Sequence, residues 1–135
     1  MSTRFATLGL VALVALAGCK SHPKMDLPLY PDASMSGSGG NDETEQGTMF
    51  HVVLRTPDSA NQVRSFYRKT CLDERGWAES GPGIYASNVT HSGDFGLSAS
   101  VTAVDPTLPG GWVQVAENNN VTLIDVWQSV PKGKK

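Results

Sequence analysis

The stretch from Trp112 to Val130 narrows most what this chain can fold into. Trp112 to Glu117 and Val121 to Val130 each read as a short strand bounded by turn residues. Asn119-Asn120 lies between them, and asparagine tolerates the positive φ that a two-residue hairpin turn demands at both positions. That turn fixes the register: Val115 falls opposite Ile124 and Val113 opposite Val126, facing a helix. Gln114 then meets Asp125, and Trp112 meets Trp127, on the opposite face. A slipped register would separate the two indoles.

The rest of the domain supplies the cover. Thr48 to Arg55 alternates, with Phe50, Val52 and Leu54 on one face and Met49, His51 and Val53 on the other. Thr56-Pro57-Asp58-Ser59 offers cap oxygens and a proline suited to a first helical turn. Val63, Phe66, Tyr67, Thr70 and Cys71 recur at helical spacing, so one amphipathic helix is expected from about Asp58 to Glu74. Gly76 stops it and Trp77 tucks back. Ile84 to His91 and Phe95 to Val104 are two further strands. The expectation is an α+β domain over 48–130, one amphipathic helix packed on an antiparallel sheet of about five strands, in the order β-α-β-β-β-β.

Ahead of it, residues 34–47 contain Ser36-Gly37-Ser38-Gly39-Gly40 and then Asp42, Glu43 and Glu45, the composition of a flexible acidic loop. A phosphate loop would need a following Lys-Ser/Thr, and a calcium loop an ordered ligand spacing; neither is present. Residues 19–33 read as a tether followed by an extended arm, Leu27-Pro28-Leu29-Tyr30-Pro31. Leu29, Tyr30 and Pro31 are expected to fold over Trp112 and Trp127. Left open, that pair is a candidate partner surface, because indoles are enriched at binding hot spots. Residues 131–135 form a basic tail expected to fray.

The first residues have another purpose. Met1 to Arg4 carries one positive charge, and Phe5 to Ala17 is an apolar run of the length of a secretory signal rather than of a membrane span. Leu16-Ala17-Gly18-Cys19 then resembles the lipobox of bacterial prolipoproteins. The resemblance implies a signal peptide over 1–18, cleavage after Gly18, and lipidation of Cys19 by diacylglycerol and often by a further acyl chain such as palmitate. Two or three chains hold a protein essentially permanently on a membrane. Lys20 stands where some lipoproteins carry an inner-membrane retention Asp. A two-membrane source would then place the chain at the outer membrane, facing the periplasm.

Thr56, Asp58, Ser59, Val63, Phe66, Tyr67, Gly76 and Trp77, with Tyr30 to Ala33 before them, resemble a pattern in small uncharacterised lipoprotein domains. The resemblance implies a small α+β domain and transfers no functional residue. The whole chain has 11 Lys+Arg against 13 Asp+Glu; loss of Arg4 leaves 10 against 13, a formal −3, which does not suit nucleic acid. With Cys19 acylated, Cys71 has no partner thiol and, on the helix's apolar stripe, behaves as a small hydrophobe.

His22, His51 and His91 lack chelating spacing, no Gly-x-Ser-x-Gly occurs, and Asp94 and Asp105 sit in turn-like contexts. No metal, cofactor or catalytic residue is expected, and the chain reads as a non-enzyme. Its expected role is binding or assembly at the cell envelope, with another envelope protein or the cell wall as partner. The alternative is a small-ligand or solute-binding domain using the space between arm, helix and sheet.

Overall fold

A computed structural model describes residues 25–37, 39–93 and 100–133. The readings on residues 1–18, Cys19, His22 and Asp94, on the first half of the Phe95–Val104 strand, and on Lys134 and Lys135 lie outside those residues.

In chain order the strands are β1 (Ser34–Met35), β2 (Gly40–Glu43), β3 (Gly47–Thr56), β4 (Ala78–Gly81), β5 (Ile84–Ser87), β6 (Val89–Ser92), β7 (Ser100–Ala103), β8 (Gly110–Asn118) and β9 (Val121–Pro131). Asn119 and Asn120 take φ of 52° and 66°, and the β8–β9 hairpin closes in the expected register, Trp112 on Trp127 and Val113 on Val126. Around it runs an antiparallel sheet in the order β1-β3-β9-β8-β5-β4, with β2 also paired to β3; β6 and β7 form a separate two-stranded sheet. Among the described residues the fold is therefore mostly antiparallel sheet with one short helix.

The main sheet has seven strands, not about five. Two of the additions lie in 34–47, expected to be loop. β1 pairs with Arg55 and Leu54 and β2 with His51 to Thr48, so together they make one edge strand interrupted at residues 36–39. An edge strand needs only backbone groups on one side, and every residue of β1 and β2 is exposed. β4 forms the other edge, against β5. Asn88, at φ 53°, breaks the expected Ile84–His91 strand, and β6 leaves the main sheet for β7.

The helix α1 (Ala60–Tyr67) starts at Ser59, whose hydroxyl accepts from the Gln62 N–H while the Gln62 side chain accepts from the Ser59 N–H, a complete capping box. A π-helical segment, Arg68–Asp73, continues it. Gly76, at φ 72°, ends it, and the Trp77 N–H turns back to the Cys71 carbonyl. Val63, Tyr67 and Cys71 pack on Leu54, Tyr85, Val113, Val115, Ile124 and Val126. At Gly111 any Cβ would meet the Trp77 ring, so glycine allows that indole to lie against β8.

The arm is part of this core and does not cross to the indole face. Leu27 is buried within the cluster, and its N–H, like that of Asp26, donates to Gln128 Oε1, at 3.1 and 2.8 Å. Tyr30 is tied to the helix side as well: its ring meets Phe66 edge-on at 5.3 Å, its N–H donates to the Tyr67 hydroxyl oxygen, and its own O–H donates to Asp58. The expectation that Leu29, Tyr30 and Pro31 cover Trp112 and Trp127 is thus overturned. The apolar stripe of the helix, with the Tyr67 hydroxyl offering a polar tip, is the better partner for a chain whose backbone needs hydrogen bonds.

Candidate functional site

The face of the sheet away from the helix carries Trp127 and Asp125 from β9, Trp112 and Gln114 from β8, and His51 from β3. Alternation along each strand puts them there, and the Asn119-Asn120 turn sets the two tryptophans side by side. Both indole side chains are half-buried. His51 is the β3 partner of Trp127, and its ring stacks on that indole at 3.6 Å between centroids with 8° between planes. His91, from β6, stacks on Trp112 at 4.6 Å and 6°. The histidines stand on opposite tryptophans, one at each side of the pair, and do not converge as chelating neighbours. Among the described residues no group of three metal-ligating side chains occurs.

Asp125 sits under this row. It is 1% exposed, and its Oδ1 lies 2.6 Å from His51 Nε2. The bond fixes the imidazole against Trp127. Asp125 Oδ2, Trp112 Nε1, Trp127 Nε1 and His91 Nε2 are all buried without a hydrogen-bond partner among the described residues. Four unpartnered polar atoms on adjoining residues of one face are unusual, since leaving each unsatisfied costs on the order of 1–3 kcal/mol. The set combines indole donors and a carboxylate acceptor, the requirements for holding a polar group beside an aromatic surface.

Beside the row, a shallow cleft of about 320 Å³ is bounded by Gly39, Gly40, Asn41 and Asp42 on one side and by Met49, His51 and Trp127 on the other. A second, of about 210 Å³, runs between the β2–β3 turn and β7, with Met49 and Ser129 at its floor. The edge strand missed in the sequence therefore forms one wall of the site.

Of the residues singled out beforehand, Trp112 and Trp127 are brought together and Cys71 is buried in the core. His51, His91 and Asp125 were not assigned to a site. A signal for Asp125 was present: a carboxylate inside Leu123-Ile124-Asp125-Val126-Trp127 is a charge within an apolar strand, which must find a partner when that strand is buried. Comparison of the chain with protein-family models, with curated proteins and with solved structures found no match.

Proposed function

We propose that this chain is a lipid-anchored cell-envelope protein whose domain works by binding, and that the face bearing Trp112 and Trp127 is its recognition surface. The observation that carries the reading is the half-buried aromatic row, His51 on Trp127 and His91 on Trp112, with His51 and Trp127 lining an open cleft on that face. The anchor rests on the lipobox at Leu16 to Cys19. The partner is another envelope protein or cell-wall polymer, either of which offers apolar area to the indole rings.

The test places a photo-crosslinking residue in the full chain, in cells, at Asn41 on the cleft wall or at Asn61, exposed on the helix. A discrete adduct is expected from position 41 only, and Trp127→Phe, which shrinks the ring lining the cleft, should weaken it several-fold. Equal adducts from both positions, or no effect of Trp127→Phe, would refute the surface. Cys19→Ser, which should release the chain from the membrane fraction, tests the anchor separately.

The cleft beside Trp127 also favours a second reading, a small ligand at the same place rather than between arm and helix. A ligand-dependent rise in melting temperature without any protein partner would distinguish it.

A further inference from the structure

The chain enters the domain at one particular end. Asp26 and Leu27 are bonded to Gln128, three residues before β9 finishes at Pro131, and β3 and β8 begin at that same end, where Gly47 pairs with Pro131 and Gly110 with Ser129. The Asn119-Asn120 turn is at the other. Asp26 shares a cleft with Arg75, Trp77, Pro109 and Gly110, so its neighbour there is the loop joining β7 to β8.

That loop, Val104 to Pro109, displays two of the four exposed large apolar side chains among the described residues, Val104 at 65% and Leu108 at 51%. It is held firmly nonetheless. Asn88 Nδ2 donates to the carbonyls of Asp105 and Leu108, at 2.9 and 3.1 Å, while Asn88 Oδ1 accepts from the Asp105 N–H. The Asp105 carboxylate is occupied within the loop, taking the N–H and O–H of Thr107 at 2.9 and 2.6 Å. Single exposed aliphatic residues are ordinary. Two of them on a braced loop, beside the point where the anchor segment arrives, call for a partner.

Position decides which. Asp26 follows Cys19 by seven residues, a span of at most about 25 Å when fully extended. A lipid on Cys19 therefore holds this end of the domain against the bilayer. Lys132, exposed just beyond β9 at the same end, adds a cation suited to phosphate headgroups.

We infer that the Val104–Pro109 loop is the membrane-contacting surface of the anchored protein, with Val104 and Leu108 seated in the phospholipid interface. The inference rests on the proposal that Cys19 is lipidated. It orients the molecule: β8 and β9 rise from the membrane, the Asn119-Asn120 turn points away, and the Trp112–Trp127 face opens sideways along the surface.

The test uses the full lipidated chain in phosphatidylethanolamine–phosphatidylglycerol vesicles, carrying an environment-sensitive fluorophore on Leu108→Cys or, at the far end, on Asn120→Cys. Cys71, buried, stays unlabelled. Nitroxide lipids should quench the label at 108 several-fold more than the label at 120. If the chain floats with the vesicles through its lipid while both positions quench alike, the loop inference is wrong and the anchor stands. If Cys19 carries no lipid and the chain stays off the vesicles, the anchor reading fails and the inference falls with it.

Discussion

Tyr30, half-buried, ties the arm to the helix side through two polar bonds. Its O–H donates to Asp58 Oδ2 at 2.6 Å; that bond, then burial, then the Asp58 charge, pushes its pKa up from 10.0 to about 12. Burial likewise pushes the Cys71 thiol from 9.0 up to about 12, with Arg75 pulling weakly the other way. Tyr67 and Tyr85 are raised as well, chiefly by burial. A group whose pKa is raised by folding contributes stability that is complete below its unfolded pKa and is lost as pH climbs through the folded one. The urea midpoint should therefore fall between pH 9 and pH 12, and less steeply above pH 10 in Tyr30→Phe. A midpoint indifferent to pH over that window, in both proteins, would contradict the assignment. At this scale the sequence was partly legible. Helical spacing alone put Cys71 in the core, because its neighbours on the stripe are local. The His51–Asp125 bond was not legible, because its partners are 74 residues apart and meet only once β3 is known to lie beside β9.

Among the elements, the helix is the one whose start is written most fully in local residues. Ser59 and Gln62 satisfy each other's backbone N–H groups, so Ser59→Ala should lower the unfolding free energy by about 1 kcal/mol, read from urea denaturation. A change near zero would mean that the packing of Val63 and Tyr67 alone fixes the helix. The β8–β9 hairpin was equally readable, down to residue pairing, since its turn chemistry and its alternation agree. The edges were not. β2 is Gly40-Asn41-Asp42-Glu43, a run with no apolar alternation, held only through the backbone of β3. Its charges also discourage a further strand from joining there. The same blindness hid the wall of the candidate site, because a wall made by an exposed edge leaves no periodic trace.

For the whole molecule, the central matter is which face the arm covers. Leu27 and Tyr30 complete the helix-side core, and this leaves the opposite face to the aromatic row, the β6–β7 ribbon and the two clefts. The sequence suggested the reverse because two prolines and two large apolar groups will cover any apolar surface within reach, and composition does not say which. Backbone hydrogen bonding decides it, through Gln128 on the helix face. On the proposed reading, one face serves stability, one recognition, and one end the membrane.

The most direct measurement is acrylamide quenching and emission of Trp112 and Trp127 in a Trp77→Phe background, with the arm intact and with it released by Leu27→Ser and Tyr30→Ala. Below the unfolding transition, the emission maximum and quenching of the two indoles should be the same in both proteins, because the arm lies on the other face. A red shift with greater quenching on release, in protein that is still folded, would mean that the arm covers the tryptophans and that their face is core, not a recognition surface.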